Sequence, residues 1–255
     1  MTGDRLTIGI VTPHAAAGPE VELPVMTRGR VAAVVSRTGP PPEPSEAPSR
    51  PRPRPDHAAL RTSTEPAALD RAVATFRGTK LAAVAHASTT SGYVIGPHEE
   101  AALIERLSQR FEVPAVASCA AAVAALRAHG VGRVQLVHPP WFDDEYDALG
   151  TAYFRSQGLD AGATRATGLP DDPAQVHPHN VVDWVEEHIA DRAEAVFLAG
   201  NGFRAAEAIE ELELRTGRLV LEANQALLWG ILGATSTGTT VAGYGRVFGS
   251  GAAPM

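Results

Sequence analysis

Ser88, Thr89, Thr90 and Ser91 stand side by side, directly after the apolar stretch Leu81 to Ala87 and directly before Gly92. Four hydroxyls and the amides beside them can donate to an anion, and in an α/β sheet the end of an apolar strand is where ligands collect. The same residues also make an ordinary polar turn that caps the following helix. Farther along, Gly200-Asn201-Gly202 interrupts the chain after the apolar run Ala195 to Ala199. Three residues with acid-base chemistry, His14, Cys119 and His138, sit where strands give way to loops or helices. His14 and His138 adjoin prolines, so structural hydrogen bonding reads as well for them as catalysis. A lone cysteine at a strand-to-helix junction also serves as a small packing residue. His86, inside its strand, reads as a hydrogen-bonded core residue.

Composition removes several classes of function. The 255 residues, 44% hydrophobic and 20% charged, suffice for one large α/β domain or two small ones with a real core. No apolar run approaches the roughly 20 residues of a membrane span, and the N-terminus lacks a basic-then-apolar signal. A cytoplasmic protein with no membrane partner is the expectation. With 29 acidic against 22 basic residues the net charge is −7, which argues against a nucleic-acid partner. An anionic substrate then needs local donors. One cysteine excludes an internal disulfide and a cysteine-rich metal site. The nine histidines show no paired spacing beyond His177-Pro178-His179, so no metal is expected. Neither glycine turn matches a phosphate or dinucleotide fingerprint, and no cofactor is expected.

The elements that must position these residues alternate. Strands are predicted at Leu6–Val11, from Leu81, at Val113–Ser118, Val134–His138, Ala195–Ala199 and Leu219–Leu221. Helices are predicted at Ala67–Phe76, His98–Phe111, Ala120–Ala128, Asp143–Gln157, Val181–Ala190, Arg204–Thr216 and Asn224–Leu232. Residues 38–64, dense in proline with an Arg-Pro-Arg-Pro-Arg run, read as a mobile insertion unable to bury apolar area. Gly158 to Pro173 reads as loop and edge material, and Thr239 to Phe248 as strand or loop closing over the first half. The units repeat a little over a hundred residues apart: the strand at 6 answers that at 134, 81 answers 195, and 113 answers 219. Two α/β halves follow, each with a parallel sheet, whose strand-end loops meet in a cleft. The expected division is 1–112 with 219–255 against 113–218.

Four stretches carry a family resemblance: Gly9 to Gly18 with its Pro-His-Ala-Ala-Ala-Gly loop, Ser88 to Tyr93 with Gly96, Gly200 to Arg204, and Gly243 to Val247. A fifth, Trp141-Phe142-Asp143-Asp144, stands where the family usually has Tyr before an acidic helix start. Together they resemble the aspartate/glutamate racemase superfamily, in the branch of arylmalonate decarboxylase and maleate cis-trans isomerase. The resemblance implies two pseudo-symmetric Rossmann-like domains and an active-site cleft between them. It also implies cofactor-independent chemistry on a small carboxylate through an enediolate-like intermediate, as decarboxylase or isomerase. Racemases of this kind use two thiols on opposite faces of the substrate, and the decarboxylase keeps only the second. Here the two positions carry Ser88 and Gly200. A serine without a base titrates far above the ~8.5 of a thiol, so two-thiol racemisation is disfavoured.

What the resemblance leaves intact is anion binding. Pro13, Thr89, Thr90, Trp141, Gly200, Asn201 and Gly202 are the implied substrate-binding positions, with Trp141 as an indole donor or an apolar wall. Ser88, Cys119, His14 and His138 are the candidates for proton transfer. Two alternatives stay open: a carboxylate-binding homologue without catalysis, or an enzyme of changed chemistry using Cys119 or a histidine. A homo-oligomer is possible.

Overall fold

In the computed structural model, which describes residues 5–38 and 56–249, two separate sheets of four strands each carry the fold. The first holds β1 (Leu6–Thr12), β2 (Val31–Arg37), β3 (Ala83–His86) and β4 (Ala115–Ala117) in the order β2-β1-β3-β4. The second holds β5 (Arg133–His138), β6 (Asp160–Arg165), β7 (Ala195–Leu198) and β8 (Leu219–Glu222) in the order β6-β5-β7-β8. Every pairing is parallel, and the second sheet repeats the first strand for strand. The central strands β3 and β7 are buried at all positions, as short apolar runs covered on both faces must be.

Nine α-helices connect them among the described residues: α1 (Pro19–Met26), α2 (His57–Thr62), α3 (Pro66–Thr75), α4 (Thr89–Phe111), α5 (Ser118–Ala128), α6 (Asp144–Ser156), α7 (Pro178–His188), α8 (Ile209–Thr216) and α9 (Ala223–Ala234). Ser88 caps α4 by accepting from Ser91 N, and Asp143 caps α6 through Tyr146 N. α4 therefore begins at Thr89, nine residues before the predicted start at His98. Gly96, at φ 76°, breaks it just before Pro97; glycine reaches that left-handed conformation without the Cβ penalty.

Ile8, Ile10, Ala83 and Ala85 of the first sheet share one buried cluster with Val137, Val196 and Leu198 of the second, through Leu227, Leu228 and Ile231 of α9. Each large side chain so buried contributes about 1.5–3 kcal/mol. α9 packs on α5, α1 and β4, so a helix that follows the second sheet rests on the first.

Strand membership departs from the division expected at residues 113 and 219. β4 pairs with β3, and β8 pairs with β7, because each closes the edge of its own repeat; the helices that follow them cross over, α9 resting on the first sheet's β4 and α5 joining the buried cluster of the second sheet. β2 and β6 are further edge strands, the second lying inside the stretch expected as loop and edge. The tail is held mainly by the second half: Val247 is buried in that half's cluster, Gln225 Nε2 donates to Tyr244 O, and Arg246 N donates to Glu213, while Val241, Tyr244 and Phe248 also pack on the cluster shared with the first sheet. Most of the expected insertion, 39–55, lies outside the described residues. Its end is α2, capped by Asp56 and anchored by the fully buried Leu60, so residues 57–62 do bury apolar area once the prolines stop. Among the described residues no helix is long and apolar enough to cross a membrane.

Candidate active site

Five strand ends meet at one place. After β1, Thr12 Oγ1 donates to Ala87 O at 2.8 Å and accepts from His14 N at 3.3 Å, which ties the first loop to the segment leaving β3. The buried Pro13 between them turns the chain so that His14 faces the start of α4. His14 Nε2 lies 2.8 Å from Ser88 Oγ and 3.3 Å from Thr90 Oγ1. Ser88 Oγ also contacts Ser91 Oγ at 2.8 Å and Thr90 Oγ1 at 3.2 Å. An imidazole thus sits on a cluster of three hydroxyls.

The second turn comes from the other sheet. Gly200, after β7, adopts φ +96°, and a Cβ there would stand 3.2 Å from Pro139 Cγ; both space and backbone conformation favour glycine. Asn201 Oδ1 accepts from Thr89 N and from Ser118 Oγ, each at 3.2 Å. Its Nδ2 donates to Asn224 Oδ1 at 2.8 Å, and Asn224 Nδ2 donates to Asn201 O at 2.9 Å and to Glu22 Oε2 at 2.6 Å. Ser118 and Asn224 follow β4 and β8, so β1, β3, β4, β7 and β8 all contribute. The first loop touches the same turn: a Cβ on Gly18 would fall 2.1 Å from Asn201 O, and one on Gly202 would meet Ala16 Cβ at 3.7 Å. Trp141 stands edge-on to Phe203 with ring centroids 5.7 Å apart, an apolar wall beside the turn.

The charge states follow from burial. Enclosure, then the Arg37 guanidinium, lowers His14 to about 4, so its imidazole is neutral at pH 7 and offers one donor and one acceptor nitrogen. Glu22 is pushed up to about 7 by burial, against the pull of Asn224, the Ala206 N–H and Arg204. Among the described residues no group of three His, Cys, Asp or Glu could hold a metal ion.

Of the expected residues, His14, Ser88, Thr89, Thr90, Gly200, Asn201 and Gly202 are brought together, with Pro13 and Trp141 at their border. Cys119 touches the backbone of the first turn rather than its hydroxyls, and His138 lies apart from the cluster. Cys119 is fully buried with Sγ donating to Thr89 O at 3.4 Å, and burial, then Glu100, raises its thiol well above the ordinary range. His138 is fully buried, with Nδ1 2.7 Å from Asp147 Oδ1 and Nε2 3.3 Å from Tyr93 OH. Both ring nitrogens are engaged away from the hydroxyl cluster. His86 differs from its expectation: among the described residues neither ring nitrogen has a hydrogen-bond partner, and burial, then His14, lowers it to about 4. Glu22, Ser118 and Asn224 are additions. The repeat placed two of them at matching helix starts, Ser118 as the first residue of α5 and Asn224 as the second of α9. A surface hollow of about 440 Å³ between α6 and β6 is lined by Asp147, Thr151, Arg155 and Ala163 and contains none of the clustered residues.

Twin parallel sheets whose strand ends share one polar, donor-rich site define a two-lobed α/β protein with the site between its repeats. A family model described as arylmalonate decarboxylase matches residues 67–248, and the chain belongs to the arylmalonate decarboxylase family. Comparison with curated proteins finds no match. Among solved structures, the fold is similar to the maleate isomerase Iso from Pseudomonas putida S16, at 22% identity and TM-score 0.78 over 97% of this chain and 99% of that one. It is similar to unliganded arylmalonate decarboxylase, at 22% identity and TM-score 0.77 over 96% and 99%. A Nocardia farcinica maleate cis-trans isomerase mutant with a covalently bound succinylcysteine intermediate matches at 19% identity and TM-score 0.77 over 95% and 98%.

Proposed function

We propose that this chain is a cofactor-independent decarboxylase or isomerase that acts on a small carboxylate or dicarboxylate through an enediolate-like intermediate, with His14 and Ser88 handling the proton. The observation that carries the reading is the 2.8 Å contact between His14 Nε2 and Ser88 Oγ. A serine lacks a useful anion by itself; a base within hydrogen-bond reach changes that. The thiol route is closed to the extent that Cys119, the one cysteine, is fully buried with a raised pKa.

The hydroxyls of Thr89 and Thr90 and the amides of Asn201 and Gly202 are the donors for carboxylate oxygens. In decarboxylation the C–C bond to the departing carboxylate breaks, its electron pair stays on the substrate as an enediolate, and CO₂ leaves. A proton must then reach carbon. A bound dianion beside His14 favours the imidazolium, counteracting the burial and the Arg37 charge that hold it near 4. That proton passes through the Ser88 hydroxyl to the carbanion, and solvent reprotonates His14. In isomerisation at a saturated α-carbon the same pair would take the α-proton, leaving the enediolate, and return it.

The test is incubation with a panel of malonate, arylmalonate and maleate derivatives, following CO₂ and isomer formation. The expected result is turnover that falls by about 100-fold in Ser88→Ala and His14→Ala, the range for a positioned acid-base group. Carboxylate binding without turnover across the panel would instead favour a binding protein.

A further inference from the structure

We propose that Glu22 and Asn224 are positioning residues for the second turn, and that together they set its hold on an anion. This rests on the reading above that the turn binds a carboxylate, and adds residues from outside it. The hydrogen-bond chain is continuous and buried. Glu22, on α1, accepts from Asn224 Nδ2 at 2.6 Å with Oε2 and from Ala206 N at 3.0 Å with Oε1. Asn224, fully buried at the start of α9, spends both Nδ2 hydrogens, one on Glu22 and one on Asn201 O, while its Oδ1 accepts from Asn201 Nδ2. Asn201 is then left with Oδ1 for Thr89 N and Ser118 Oγ.

Each carboxamide can point only one way in this chain. Reversing Asn224 would face its oxygen toward Glu22 and Asn201 O, acceptor against acceptor, in a site without competing solvent, where an unmatched polar group costs about 1–3 kcal/mol. With the Asn201 carbonyl held by Asn224, the peptide planes of the turn are fixed, and so is the direction of the amides after it. A carboxyl on α1 thereby governs the geometry of a turn after β7.

A pH dependence follows. Besides Asn224 and the Ala206 N–H, the charged groups acting on Glu22 are Arg204, which lowers it, and Glu207, which raises it; Glu222, itself raised by burial and by Glu22, faces it from the residue before α9. Ionisation of Glu22 places a negative charge two hydrogen bonds from the turn and three from the anion. Carboxylate affinity should therefore weaken as pH rises through about 7, and this slope should flatten in Glu22→Gln.

The experiment uses the full chain, with Glu22→Gln, Asn224→Asp and, as control, Leu214→Gln at a side chain 80% exposed. Glutamine offers one acceptor to two donors, and aspartate offers no N–H to Glu22 or Asn201 O. Without ligand, the amide resonances of Thr89 and Gly202 and the Asn201 side-chain amide should shift in both variants and not in the control. Hydrogen exchange of Thr89 should quicken by about tenfold, the weight of roughly one hydrogen bond. These are read at pH 8, where Glu22 is ionised and both its oxygens accept; in titrations with malonate, Kd should rise by about fivefold or more at pH 6 in Asn224→Asp, while in Glu22→Gln the change is the flattened slope across pH 7. Should Asn224→Asp fail to fold, Glu22→Gln alone decides. Unchanged resonances, exchange and pH slope of malonate affinity in a folded Glu22→Gln overturn this inference and leave the carboxylate reading standing. Failure of the wild-type protein to bind malonate or any other carboxylate of the panel overturns the carboxylate reading, and this one with it.

Discussion

Gly18→Ala should open the site with a single methyl group. Gly18 ends the first loop and precedes α1, and a Cβ at that position falls 2.1 Å from Asn201 O and 2.9 Å from Asn201 C. Both obstacles are backbone atoms, so no rotamer change relieves the clash. Ordinary contact needs about 3.2–3.5 Å, and the loop and the turn must separate by about 1 Å. Forcing a methyl into a packed contact costs about 1–3 kcal/mol, and a chain of this size loses about 2–4 °C of Tm per kcal/mol. The functional cost is larger, since a misplacement of about 1 Å between reacting groups can lower rates by about 100-fold. The assay is kcat/KM on whichever carboxylate of the panel is turned over, malonate affinity by calorimetry, and Tm. Gly162→Ala is the control: that glycine lies in the edge strand β6, and a Cβ on it meets nothing within 4 Å. The expected result is a Gly18→Ala protein that is folded, less stable by several degrees and at least tenfold weaker in kcat/KM, beside an unaffected Gly162→Ala. Wild-type activity, affinity and Tm in Gly18→Ala would refute the contact between the first loop and the second turn.

Two further expectations follow from buried titratable groups. Cys119→Ala should retain activity, and the native thiol should react slowly with an alkylating reagent but rapidly in urea, because burial and Glu100 disfavour the thiolate; fast native labelling blocked by substrate would return Cys119 to the site. Stability against pH carries opposed contributions. His14 and His86, lowered from 6.5 to about 4, contribute stability above pH 6.5 that is lost as pH falls toward 4. Glu22 and Glu100, raised from 4.5 to about 7, contribute stability below pH 4.5 that is lost as pH rises through 7. The two pairs therefore act in opposite directions across this window. Urea unfolding should show His86→Leu losing stability, relative to wild type, as pH rises from 4.5 to 6.5, and Glu100→Gln gaining it; parallel pH profiles for all three proteins would contradict these charge states.

The repeat was the most legible feature of the sequence. Apolar runs ending in Ser-Thr-Thr-Ser-Gly and Gly-Asn-Gly are strong local signals, and they located β3 and β7 with the turns that meet in the site. β2 and β6 were not predicted, because edge strands share little of the doubly covered apolar pattern: β2 is fully buried only at Val31 and Ser36, and β6 only at Ala161. The start of α4 was obscured by Gly96 and Pro97, which read as a helix boundary and are in fact an internal break. Glu22 gave no sign of its role. On an eight-residue helix beside Glu20 it resembles any first-turn acid, and only tertiary packing brings it to its partner Asn224, 202 positions away in sequence.

Ser88 shows the same limit from the side of chemistry. Taken with its neighbours in sequence it has hydroxyls and amides around it but no base, and a hydroxyl so placed is inert at neutral pH. The base arrives from 74 residues away, on a loop fixed by Thr12 to Ala87 O and held against the second turn at Gly18. Enclosure that keeps His14 neutral also prepares it to respond to an incoming anion, since a negative charge nearby acts in the direction opposite to burial. On the proposed reading, pairing a weakly basic, half-buried imidazole with a hydroxyl and an anion-accepting turn would make proton delivery conditional on substrate. Without a carboxylate nearby the imidazole has no charge to answer; with one bound, the charge that must be neutralised is what recruits the proton.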